Sequence, residues 1–183
     1  MTGEDWERVE SRQLADYRFF QLRQDTSRHP RHGREYDFFV FEFPHWVNII
    51  PITPTGEVVF VRQFRHGTRE LTLEIPGGMV DPGETPKQAA LREMVEETGY
   101  SAPDALELGW VNPNPAIQEN RCWTFLAQDV AWGEQALEGS EAIDVEAIPL
   151  DRVPALFEDG TISHALVVTA FHFYRQHLGN RLV

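Results

Sequence analysis

Residues 76–100 constrain this chain more than any other stretch. Pro76-Gly77-Gly78 stops a strand-like run, and Thr85-Pro86-Lys87-Gln88 opens a helix with three concurring signals. These are an N-cap hydroxyl, a proline at the first helical position and a glutamine three residues after the cap. Gly99 is the residue that a left-handed C-terminal cap wants. No glycine lies between, so the spacing predicts one helix over residues 86–98.

At about 100° per residue, Leu91, Met94, Val95 and Thr98 share one face of that helix and are expected to pack. Glu93, Glu96 and Glu97 fall on the opposite face, and Glu84 precedes them by about one loop. Like charges a helical turn apart cost a few tenths of a kcal/mol per pair, and the only base nearby is Arg92. Divalent cations remove that repulsion, because carboxylate oxygens a turn apart can converge on them. Gly77-Gly78 lets backbone approach an ion or phosphate closely, and a carbonyl there is a further oxygen donor for such an ion. An acidic face that simply meets water is the alternative.

The charge distribution points the same way. The chain has 183 residues, with 16 Lys+Arg against 29 Asp+Glu. Residues 1–75 hold 12 acids and 10 bases, and residues 76–183 hold 17 acids and 6 bases. So negative a second part repels a phosphate backbone, so nucleic acid is not an expected partner. One cysteine excludes an internal disulfide framework. No apolar run is long enough for a membrane span, and the first residues lack a signal-peptide pattern, so a cytoplasmic protein without membrane association is expected.

Around the predicted helix the chain reads mostly as strands. Tyr36–Phe43, Trp46–Thr53, Glu57–Arg65, Leu71–Ile75, Leu106–Val111, Arg121–Val130 and Ile143–Pro149 are expected strands. Asp151 is expected to cap a short helix through Glu158, and Ser163 to open a last one through about Leu178. Before residue 35, periodicity does not choose between strands and a loose helix. The order makes an α+β or mixed α/β layered fold, with strands outnumbering helices.

Gly78, Glu84, Arg92, Glu93, Met94, Glu96, Glu97, Gly99 and Tyr100 also resemble the Nudix box, Gly-x5-Glu-x7-Arg-Glu-U-x-Glu-Glu-x-Gly-U with U apolar. Every fixed identity matches. At about 7% usage per residue type, a chance match in this chain is on the order of one in a million. Tyr100 departs from the usual aliphatic residue, which concerns packing more than chemistry. The resemblance implies a mixed α/β/α sandwich and metal-dependent hydrolysis of a nucleoside diphosphate linked to another group, with Mg²⁺ or Mn²⁺. It implies Glu93 and Glu97 as principal metal ligands, Glu96 as sharing a second ion, and the Gly77 carbonyl as completing a coordination sphere. Glu84 and Arg92 would support them by ion pairing. For Arg92, a plain pair with Glu96 is the simpler alternative.

Outside the box, Arg62-Gln63-Phe64-Arg65 and Leu73-Glu74-Ile75-Pro76-Gly77-Gly78 resemble the ADP-ribose and nucleotide-sugar pyrophosphatase branch. Pro115, sixteen residues after Gly99, resembles that branch's proline marker. The resemblance spans about residues 36–178. It implies Arg65, with its planar pair of donors, as a phosphate-binding residue, and Arg62, Gln63 and Pro115 as further substrate residues. The general base looks like a loop glutamate before the strand at residue 143. Glu141 fits best, Glu138 and Glu119 are rivals, and a metal-bound hydroxide could replace them all. Members of the branch dimerise through an N-terminal sheet, so residues 1–35 are expected to be an arm packing in a homodimer and 36–183 the hydrolase domain. The expected substrate is ADP-ribose or a related nucleoside diphosphate sugar. The rivals are a Nudix enzyme for nucleoside triphosphates or RNA 5′ ends, and a non-catalytic nucleotide-sensing module, which should have lost metal ligands.

Other residues have plainer readings. Cys122 sits in an apolar run and reads as a buried strand thiol. His29 and His32 fall in a Pro/Gly turn, and His164 and His172 are expected to pack or face solvent in the last helix. Trp46, Trp110 and Trp123 are expected in the core.

Overall fold

The computed structural model describes residues 5–136 and 142–179. The chain divides into two compact units, Met1–Pro44 with Asn112–Arg121 and His45–Val111 with Cys122–Val183.

In the first unit, β1 (Glu7–Asp16), β2 (Gln21–Arg28) and β3 (Glu35–Glu42) form an antiparallel sheet in that order. The stretch that periodicity left open is therefore strand. His29 to Arg34 closes the β2–β3 turn, with the Gly33 N–H donating to the His29 carbonyl at 3.0 Å. Trp6, Tyr17, Phe19, Tyr36, Phe38 and Phe39 are all exposed on this unit. Its polar hub is Arg23, which donates to Asp25, Glu42 and Glu119.

The second unit carries β4 (Trp46–Ile52), β5 (Glu57–Arg65), β6 (Glu70–Glu74), β7 (Gly77–Met79), α1 (Pro86–Thr98), β8 (Tyr100–Ser101), β9 (Leu106–Val111), β10 (Cys122–Gln128), β11 (Ala131–Trp132), β12 (Ile143–Pro149), α2 (Val153–Glu158) and α3 (Ala165–His177). Its main sheet runs β12-β5-β4-β10-β9, with β6 on β5 and β7 on β4. β4 and β10 are parallel, and every other pairing in this sheet is antiparallel. Strand alternation sends side chains to two cores. Val47, Ile49, Val59, Phe125 and Ala127 pack with Ala89, Ala90 and Met94 of α1. Ile50, Ile52, Val58, Phe60 and Leu126 pack with Val167, Ala170, Phe171 and Tyr174 of α3. Fully burying side chains of this size contributes about 1.5–3 kcal/mol each. The result is an α+β fold with helices on both faces of a mixed sheet.

α1 spans the expected residues, and both halves of its capping box form. Thr85 Oγ1 accepts from the Gln88 N–H at 3.3 Å, and Gln88 Oε1 accepts from the Thr85 N–H at 2.9 Å. Gly99 takes φ 75° and donates to the Val95 carbonyl. The helix is rotated from the expected packing face, however. Val95 is 37% exposed and Glu97 only 3%, because the buried arc runs through Ala90, Met94 and Glu97. Trp110 is also not core: it lies on β9, the last strand of the sheet order, and is 43% exposed. The last helix starts at Ala165 with His164 as its N-cap, since the His164 ring rather than Ser163 accepts from the Leu166 N–H. A 3-10 turn at Leu150–Arg152 leads into α2, so Asp151 lies inside that turn and makes no cap.

Candidate active site

β7 pairs with β4 in register Asn48↔Gly77 and Val47↔Gly78. A side chain at Gly77 would strike the Val47 carbonyl and the Asn48 backbone. At Gly78 it would strike the Glu93 carboxylate, so Gly77 allows β7 to pair closely with β4 and Gly78 allows α1 to approach the strand. The Gly77 N–H donates to Glu97 Oε2 at 2.9 Å.

Arg92 organises the outer carboxylates. Its Nε and Nη2 hold both oxygens of Glu84 at 3.1 and 3.0 Å, and Nη2 also donates to the Met79 carbonyl at 3.0 Å. Nη1 donates to Glu93 Oε1 at 3.0 Å and Glu96 Oε2 at 2.9 Å. Glu84, first of its partners, raises the Arg92 pKa above the usual guanidinium range. Arg92 in turn holds the Glu84 carboxyl below the ordinary carboxylate value. Arg92 therefore does much more than pair with Glu96.

Gly77, Gly78, Arg92, Glu93, Glu96 and Glu97 line one pocket of about 500 Å³ together with Gln63, Arg65, Glu74, Asn48 and His164. Arg65 Nε and Nη2 grip the two oxygens of Glu74, each at 2.7 Å, and Thr72 Oγ1 adds a bond at 2.6 Å. Burial alone would raise the Glu74 pKa. The Arg65 hydrogen bonds and charge, with Thr72, outweigh burial and leave it below the ordinary value. The Glu74 hydrogen bond leads in raising Arg65.

Of the residues read from sequence, Gln63, Arg65, Gly77, Arg92, Glu93, Glu96 and Glu97 come together here. Arg62 does not line the pocket; its Nη2 pairs with Glu146 at 2.9 Å. Pro115 belongs to the first unit, as does Glu119, which accepts from Arg23 at 2.7 Å. Glu138 and Glu141 lie outside the described residues. Of the described residues on either side, Ala136 donates its N–H to the Glu96 carbonyl and Ile143 pairs with Gln63, and neither lines the pocket. Cys122 lines the pocket, but burial pushes its thiol up to about 12, so it is no nucleophile.

Glu74 and Asn48 have no role in the sequence reading, and His164, expected to pack or face solvent in the last helix, instead caps that helix and lines the pocket. Glu74 stands inside a motif whose glycines drew attention, whereas His164 reaches the pocket only through the packing of α3.

Hard oxygen donors on one helix face, next to glycines with no side chain to intervene, fit a divalent cation. Among the described residues no three acidic, His or Cys side chains already converge on one point. Arg92 bridges Glu93 and Glu96 instead, and the same oxygens suit an ion. A larger apolar cleft of about 670 Å³, lined by residues such as Leu150, Phe157 and Phe171, has Glu158 as its one carboxylate among the described residues.

Residues 42–171 match the NUDIX domain. The chain belongs to the Nudix family. It is 28% identical over 136 residues to an ADP-ribose pyrophosphatase of Bacillus subtilis (strain 168), covering 73% of this chain and 74% of that one. It is 31% identical to the ADP compounds hydrolase NudE of Escherichia coli (strain K12), covering 72% and 70%. A crystal structure of an ADP compounds hydrolase superposes with a TM-score of 0.84 at 25% identity, covering 95% of this chain and 94% of that one. Together with the complete Nudix box, these make the protein a Nudix pyrophosphatase of the ADP-ribose branch. Nudix hydrolases work with divalent metal ions. Among the described residues no helix is long and apolar enough to cross a membrane.

Proposed function

We propose that this Nudix enzyme hydrolyses the diphosphate bond of ADP-ribose, or of a closely related nucleoside diphosphate sugar, to a nucleoside monophosphate and a sugar phosphate. The observation that carries the reading is the pocket itself: a guanidinium locked by Glu74 faces the same space as the glycine loop and the carboxylate face of α1. Cations on one side and metal-suited carboxylates on the other fit a diphosphate. The relatives whose names specify ADP compounds support the choice of substrate.

Glu93, Glu96, Glu97 and the Gly77 carbonyl would hold the metal, Mg²⁺ or Mn²⁺. When bound, it neutralises charge on the diphosphate and acidifies the attacking water. Arg65 binds a phosphate oxygen with the donors that Glu74 leaves over. Gln63 offers an amide to the sugar or base side. Arg92 and Glu84 fix the glutamates and the loop that faces them. Glu141 accepts the proton of the attacking water. That assignment draws on the family resemblance and on the anchoring of its described neighbours to Glu96 and Gln63. The exposed aromatic side chains of the N-terminal sheet bury against a second copy, giving a homodimer.

The test is a panel of ADP-ribose, GDP-mannose and dGTP with Mg²⁺, with products identified. The reading expects the highest kcat/KM on ADP-ribose; a preference for dGTP would overturn it.

A further inference from the structure

Beside Arg65 stands a second donor that the scheme above leaves without a task. His164 caps the N-terminus of α3, its Nδ1 accepting the Leu166 N–H at 3.2 Å. That bond fixes the tautomer, so the neutral ring carries its proton on Nε2. Nε2 lies 3.8 Å from Glu74 Oε2, beyond hydrogen-bond length. Glu74 is already supplied with donors by Arg65 and Thr72. The Nε2–H and the Arg65 guanidinium thus flank one carboxylate and border the same pocket.

The wall next to them is also unfinished. Asn48, 6% exposed, donates Nδ2 to the Leu166 carbonyl at 3.2 Å, while its Oδ1 has no hydrogen-bond partner among the described residues. A buried acceptor is ordinarily satisfied. Here the unpaired oxygen itself is sealed off, while Asn48 as a residue lines the same pocket.

We infer that His164 is a substrate-binding residue, which donates Nε2–H to an oxygen of the diphosphate and forms with Arg65 a two-donor anion subsite at the first turn of α3. Two donors with their acceptor Glu74 already saturated favour an anionic oxygen over a neutral group. The inference deepens the proposed function and rests on it for the natural ligand, so the experiment includes a probe independent of that ligand.

The probe is inorganic pyrophosphate, bound in the presence of Mg²⁺ and followed by calorimetry, alongside ADP-ribose kinetics. His164→Asn keeps a favoured N-cap but is too short to replace Nε2–H; His164→Gln restores a longer amide donor. The expected result is a pyrophosphate Kd about tenfold weaker in His164→Asn, the loss of one hydrogen bond to a charged oxygen. KM for ADP-ribose rises by about the same factor, kcat changes less, and His164→Gln recovers part of the loss. A purely structural cap would leave His164→Asn like the wild type. Unchanged pyrophosphate affinity in that variant, or no pyrophosphate binding by the wild type, overturns the subsite even if ADP-ribose is hydrolysed. Weakened pyrophosphate binding without any ADP-ribose turnover upholds the subsite and overturns the proposed substrate.

Discussion

The Gly77 N–H and Glu97 Oε2 meet at 2.9 Å, tying the end of a strand to a helix twenty residues later. This bond holds a carboxylate that is 3% exposed at the edge of the pocket.

Glu97→Gln separates the two roles of that side chain. The amide oxygen can still accept from Gly77, so the thermal midpoint should hold within a few degrees. If Glu97 holds the metal as proposed, losing its charge costs several kcal/mol of transition-state stabilisation, so kcat should fall by about a hundredfold or more. Steady-state kinetics beside a melting curve checks both; unaltered turnover contradicts the role.

The adjacent glycines should respond differently to alanine. At Gly77 the added carbon meets backbone of β4, which cannot move aside, so folding stability should drop by about 1–3 kcal/mol. At Gly78 it meets the movable end of Glu93, so Gly78→Ala should keep its fold while losing turnover and metal affinity. Urea unfolding and activity, measured on both, separate the two outcomes.

Much of this was legible because its causes are local. Thr85, Pro86, Gln88 and Gly99 fix the ends of α1 through bonds within a few residues of each other. Alternation in β4 and β5 likewise follows from the pleat. The burial of Glu97 and exposure of Val95 depend instead on how α1 rolls against β4 and β7, which helical periodicity alone misjudges. His164 and Glu74 stand ninety residues apart, and only the packing of α3 brings them together. Arg62 and Arg65 look alike in sequence, yet one pairs with Glu146 and the other with Glu74.

Glu74 makes a pH prediction. Its pKa is lower in the folded protein than its ordinary value of 4.5, so its contribution to stability is present above that value and lost as pH falls through the folded-state pKa. Glu74→Gln should therefore be less stable than wild type at neutral pH, with the gap closing below pH 4.5. Urea unfolding from neutral into acid conditions measures it; a gap that stays constant contradicts the Arg65–Glu74 account.

The exposed aromatics of the first unit predict association. Light scattering at micromolar concentration should give twice the 21.0 kDa of one chain. Phe39→Asp, on a side chain 53% exposed, should shift the protein toward monomer without unfolding it. A monomeric mass for the wild type contradicts the homodimer.

The most direct test of the whole scheme is ADP-ribose turnover by metal-stripped protein, titrated with Mg²⁺ and with product analysis. The expected result is no AMP without metal, and saturable release of AMP and ribose 5-phosphate as Mg²⁺ is restored. Equal rates with and without a chelator, or no product at any Mg²⁺ concentration, would contradict it.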